Sequence, residues 1–123
     1  MPRDLVQLMH SFFTPVARMA CATEWCPATD VYRTRRGWLV KVDAAGIQPQ
    51  DIEVSVSGRR LTVAGFRKDV QVEEGQSHYQ MEITYSSFQR TIELPCPLEW
   101  ARIATDYRDG MLFVRVQTEE RQP

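Results

Sequence analysis

The chain is expected to be all-β: an antiparallel β-sandwich behind a short, partly helical N-terminal arm. Three observations predict this. From about Asp30 onward, apolar and polar residues alternate in short runs, the period of strands that bury one face. Turn signals separate the runs, at Arg36-Gly37, Ser57-Gly58-Arg59, Ser86-Ser87 and Arg108-Asp109-Gly110. No long helical period falls between them, so the pattern of roughly seven or more short strands fits two packed sheets.

Composition sets the outer limits. A chain of 123 residues suffices for one domain with a real core. Lys and Arg number 15 against 16 Asp and Glu, so no strong field favours nucleic acid. No apolar run approaches a membrane span. Met1-Pro2-Arg3-Asp4 lacks the layout of a signal peptide, which makes the cytoplasm the expected location. The 3 cysteines (Cys21, Cys26 and Cys96) do not suggest a disulfide framework.

Residues 1–29 read as the arm. Leu5, Leu8, Met9 and Phe12 follow the i, i+3, i+4, i+7 stripe of an amphipathic helix, with Asp4 as a cap and Pro15 as its limit. One helix of about two or three turns is not stable alone and must dock on its own domain, on another subunit or on a foreign apolar surface. Its Met and Phe content, Phe13 included, suits adaptable contacts. Pro27 marks a joint before the domain.

The strands follow in order. Val31 to Thr34 leads into the first turn. Trp38, Val40 and Val42 alternate with Leu39, Lys41 and Asp43; Gly46 to Asp51 is a loop. Ile52, Val54 and Val56 alternate with Glu53, Ser55 and Ser57, and a tight connection leads to Leu61-Thr62-Val63-Ala64, a hairpin. Phe66 to Ser77 is too charged to cross a core, with Arg67, Lys68, Asp69, Glu73 and Glu74. It is either a solvated loop or an excursion with a short edge strand around Val70 and Val72. Tyr79, Met81, Ile83 and Tyr85 alternate and read as a further strand. Pro95 and Pro97 make a rigid connection, Trp100, Ile103 and Tyr107 precede a turn, and Leu112, Val114 and Val116 close the domain.

One strand breaks its own rule. In Ser86 to Pro95 the apolar side carries Phe88, Ile92 and Leu94, and Arg90 sits among them. Either its stem lies on the core while its head reaches water, or it is a paired arginine at a subunit contact.

No catalytic or ligand pattern emerges, and no cofactor is expected. His10 and His78 are the only histidines, and Cys21 and Cys26 have no second pair to complete a zinc site, so no metal is expected. Phosphate loops and nucleophile elbows are absent. A hairpin turn accounts for Ser57 to Arg60, and Glu73-Glu74 reads as a solvated loop. Trp38, Tyr79 and Phe88 suit core or interface better than base stacking. An enzyme is not expected.

The order of motifs resembles the small heat shock proteins, built on the α-crystallin domain, of the bacterial and plant type. Val40 to Ile47 with Pro49-Gln50-Asp51-Ile52 is similar to the family's V-x-V-D-L-P-G block. Gly58 to Gly65 is similar to its L-x-V-x-G strand. Glu82, Tyr85, Ser87, Phe88, Arg90, Leu94 and Pro95 match its E-x-x-Y-G-x-F-x-R-x-x-x-L-P run, and Tyr107 to Leu112 its closing signature. Thr105 stands where that signature usually has Ala, and Ser86 replaces a usual Gly. The tail Gln117 to Pro123 has no Ile-x-Ile motif.

The resemblance implies an immunoglobulin-like sandwich over 30–118, the α-crystallin domain, with the arm at 1–29 and a short tail at 119–123. It implies an ATP-independent holdase that keeps partly unfolded clients soluble for ATP-driven chaperones downstream, with no nucleic acid and no membrane span. It implies a homodimer formed by strand exchange through 67–77, with Arg90, Glu82, Val70, Val72 and Tyr79 at the contact. Ile52, Val54, Val56 and Ile103 would line a groove for docking segments, and Leu5, Leu8, Met9, Phe12 and Phe13 would bind clients. The missing tail motif points to a dimer or small irregular oligomer. The alternative is a monomeric co-chaperone or adaptor module similar to CS domains.

Overall fold

The structure, a computed structural model, describes residues 18–21, 23 and 25–118. Its strands are β1 (Arg18–Cys21), β2 (Thr29–Thr34), β3 (Gly37–Asp43), β4 (Ile52–Ser57), β5 (Arg60–Phe66), β6 (Ser87–Glu93), β7 (Arg102–Arg108) and β8 (Met111–Gln117). Two 4-stranded antiparallel sheets form, ordered β1-β6-β5-β4 and β2-β3-β8-β7. The only helical element among the described residues is a 3-10 turn at Pro49–Asp51, started by the fixed φ of Pro49.

Alternation builds the core. Trp38, Val40 and Val42 of β3 and Leu112, Val114 and Val116 of β8 point inward from one sheet. Leu61, Val63, Phe88 and Ile92 of β5 and β6 meet them from the other. All are buried, and Val40, Val42, Leu61, Val63, Ile92 and Val114 lose all contact with solvent. Close packing shows at Gly65, where an added Cβ would lie 2.6 Å from the Phe88 ring. The β7–β8 hairpin closes on Asp109 (φ 52°) and Gly110 (φ 76°); Arg108 pairs with Met111 across it. Two positive φ values give the turn whose twist suits an antiparallel pair.

The fold departs from the sequence expectation at Tyr79 to Tyr85 and at Arg18–Cys21. Tyr79 to Tyr85 is not a strand: β5 and β6 pair directly up to Phe66 opposite Ser87, so residues 67–86 leave the sheet as an excursion. Of the two alternatives for the stretch around Val70 and Val72, the one without a strand holds. Within the segment read as arm, Arg18–Cys21 forms a strand, because the outer edge of β6 offers it a ladder from Glu93 to Arg90. The strand holding Ile103 and Tyr107 starts at Arg102, past Trp100, which is 88% exposed. The helix expected at Leu5 to Phe12 lies outside the described residues. Cys26 is disulfide-bonded, whereas Cys96 is a free thiol.

Candidate functional site

Two surfaces follow from this topology. The first is a groove between the edge strands β4 and β7, which end their respective sheets on the same side of the sandwich. A cavity of about 560 Å³ opens there, lined by Ile52 and Val54 of β4, Ile103 and Thr105 of β7, Tyr107 and Leu112. Tyr107 fixes its rim by donating its hydroxyl to the Ala44 carbonyl at 2.8 Å. The structure thus brings Ile52, Val54 and Ile103 together. Val56 does not join them: it is 38% exposed near the β4–β5 turn, while the cavity sits at the Pro49 end of the strand. Thr105 faces into this groove, which puts a hydroxyl where the motif usually has a methyl.

The second surface is the excursion, residues 67–86. Its apolar side chains stand clear of the sandwich: Val70 is 59% exposed, Val72 78%, Tyr79 100%, Met81 48% and Ile83 58%. Burying such a group is worth about 1.5–3 kcal/mol, so five exposed ones are a cost to the single protomer. Its feet are nonetheless held firmly. Arg67 donates Nε and Nη2 to the Thr84 carbonyl at 3.0 and 2.7 Å, and Nη1 to the Ala45 carbonyl at 3.2 Å. Its guanidinium stacks 3.7 Å from the Trp25 ring centroid and 5.8 Å from that of Tyr85. Trp25 in turn meets Phe88 edge-on, with centroids 5.1 Å apart. Backbone pairing of Arg67 N–H with Ser86 O at 3.1 Å closes the neck. Arg67 therefore ties the segment before β2, the excursion and the core together. In the sequence it looks like one charge among several.

Arg90 and Glu82 lie apart in the chain's architecture. Arg90 is half-buried in β6, in register with Val63 of β5 and Cys21 of β1, and its Nε is enclosed. Burial pushes its guanidinium below the ordinary pKa. Glu82 is exposed on the excursion and accepts a hydrogen bond from Gln80 at 3.0 Å. The arm residues Leu5, Leu8, Met9, Phe12 and Phe13 lie outside the described residues. Among the described residues no three His, Cys, Asp or Glu side chains gather as a metal would require. No described helix is long and apolar enough to cross a membrane.

Known proteins share this architecture. Heat shock protein 16.0 from Schizosaccharomyces pombe superposes with a TM-score of 0.68 at 27% identity, over 81% of this chain and 94% of that one. The hspA protein from Xanthomonas axonopodis gives 0.63 at 28% identity, over 77% and 95%. In sequence, small heat shock protein C2 of Rickettsia felis is 28% identical over 111 residues, 90% of this chain and 72% of that protein. Spore protein SP21 of Stigmatella aurantiaca is 33% identical over 86 residues, 70% of this chain and 51% of that protein. The profile of the Hsp20/alpha crystallin family matches residues 30–123, which takes in β3 to β8, the groove and the whole excursion. The chain belongs to the Hsp20/alpha crystallin family, that of the small heat shock proteins, which are ATP-independent chaperones and not enzymes.

Proposed function

We propose that the protein is a holdase: it binds partly unfolded proteins without ATP and keeps them from aggregating until ATP-driven chaperones take them over. The observation that carries this reading is the family match over a sandwich whose apolar excursion is uncovered in the single protomer. The arm supplies client contacts through Leu5, Leu8, Met9, Phe12 and Phe13, and the protein acts in the cytoplasm.

The excursion makes a homodimer. Its five exposed apolar side chains need a neighbour, and β2 offers one, since it ends its sheet with a free edge among the described residues. Exchange through 67–77 brings Val70, Val72 and Tyr79 onto the partner, with Arg90 and Glu82 near the contact. The groove at Ile52, Val54 and Ile103 accepts an extended apolar segment by strand addition.

The test is light scattering of a heat-labile client with no ATP present. Suppression near one subunit per client is expected. Undiminished aggregation at several-fold excess would remove the holdase reading and leave an adaptor role in its place.

A further inference from the structure

Two charged clusters of opposite sign find no ion-pair partner among the described residues. The first is the turn joining β2 to β3, where Thr34 pairs with Gly37 across Arg35 and Arg36. Beside it a cavity of about 450 Å³ is lined by Arg35, Arg36, Leu39, Arg115 and Gln117, among others. Leu39 and Arg115 are register partners on the outward side of the sheet, between the buried Trp38 and Val40 and the buried Val114 and Val116. The turn is held in place, since the Thr118 N–H donates to the Arg36 carbonyl at 3.0 Å. Arg33 of β2 is in register with Trp38, on the other face from Leu39 and Arg115, and its guanidinium lies 5.1 Å from the Trp38 ring centroid. Arg35, Arg36 and Arg115 are all exposed, and among the described residues none of them meets a carboxylate.

The second cluster is the tip of the excursion. Here the chain is well organised. Gln76 Oε1 accepts from the N–H groups of Val72 and Glu73 at 2.9 and 3.1 Å, and Gln71 Nε2 donates to the Glu73 carbonyl at 3.2 Å. Gln76 N–H returns to the same carbonyl at 3.2 Å, and Gly75 takes the positive φ of 80° the turn requires. The result is a preformed knuckle that displays Val72, 78% exposed, beside the carboxylates of Glu73 and Glu74. Among the described residues those two carboxylates form no ion pair.

We propose that the excursion tip of one protomer docks on the arginine turn of its partner, with Glu73 and Glu74 against Arg35 and Arg36 and Val72 over Leu39. The occupant is a second copy of this chain. The inference rests on the homodimer reading above and adds the contact that selects the partner. Charge complementarity argues for it: one edge-strand turn carries unpaired cations around an apolar floor, and one ordered tip carries unpaired anions around an apolar knob. With a net charge of −1 the protein has no strong overall field, so a local match of this kind decides which copies associate. Preformed tip and turn both lower the ordering cost of docking.

The test uses the full chain in two variants, Glu73→Lys/Glu74→Lys and Arg35→Glu/Arg36→Glu, with dimer dissociation followed by sedimentation velocity. Each variant alone places like charges at both contacts of the dimer and is expected to weaken it about tenfold or more at low salt. An equimolar mixture places opposite charges at both contacts and is expected to return to within about threefold of the wild type. The difference should shrink near 1 M salt, where the screening length is about 3 Å. Recovery in the mixture also shows that both variants are folded. Wild-type dissociation constants in either variant, or no recovery in the mixture, overturn the tip-to-turn contact while leaving the dimer standing. A wild type that is monomeric at every concentration overturns the dimer reading as well.

Discussion

Two stretches of the chain alternate equally well and end differently. Phe88, Ile92 and Leu94 are 2%, 0% and 1% exposed, whereas Tyr79, Met81 and Ile83 are 100%, 48% and 58% exposed. The difference lies in their neighbours. Residues 87–93 run between β5 and β1, and their inner face meets a second sheet. Residues 79–85 have no adjacent strand among the described residues. A period of two says that a segment suits a half-buried strand, but the hydrogen-bonded neighbour must come from elsewhere. Where the protomer does not supply it, the same pattern leaves its apolar side chains exposed.

The largest test of this contrast replaces one residue from each stretch. Phe88→Ala removes a buried ring that contacts Trp25 and fits against Gly65, so a loss of about 3–5 kcal/mol is expected. Tyr79→Ala should stay within about 0.5 kcal/mol in a dissociated protomer, since nothing covers that ring. Urea denaturation at low protein concentration measures both. A cost at Tyr79 comparable to that at Phe88 would show that the excursion packs on its own sandwich.

An intermediate effect is expected where the two regions join. Arg67→Ala takes three hydrogen bonds and a stacked cation from the neck of the excursion. Overall stability should fall by about 1–2 kcal/mol. Amide exchange in 68–86 should rise about tenfold while the amides of β5 and β6 keep their protection. Uniform acceleration across the sheet would mean that Arg67 supports the core and not the excursion.

How much of this was legible follows from where each signal resides. β2 to β5, β6 and β8 carry their own alternation and turn residues, and their pairing follows from short connections. β1 carries neither: Arg18-Met19-Ala20-Cys21 becomes a strand because the β6 edge is open to it. β7 is half hidden because only Ile103 and Tyr107 of its residues are partly buried. The groove residues came from the resemblance and not from alternation; the structure sets Ile52, Val54 and Ile103 around one cavity, while Val56 lies beyond it. Arg67 was not legible, since Trp25, Ala45 and Thr84 come to it from three separate segments. The disulfide at Cys26 was equally hidden, since spacing alone does not show which thiols the fold brings together.

The smallest expected effect tests the proposed docking groove between β4 and β7. Thr105 lines it beside Ile103 and Tyr107. Thr105 is exposed, and covering its hydroxyl with an apolar segment that offers no hydrogen bond costs affinity. Thr105→Ala removes the hydroxyl but also a methyl group, so the two terms partly cancel. A peptide bearing an Ile-x-Ile motif should bind two- to threefold tighter, roughly 0.5 kcal/mol, as read by fluorescence anisotropy. Weaker binding would show that the Thr105 methyl is itself a contact.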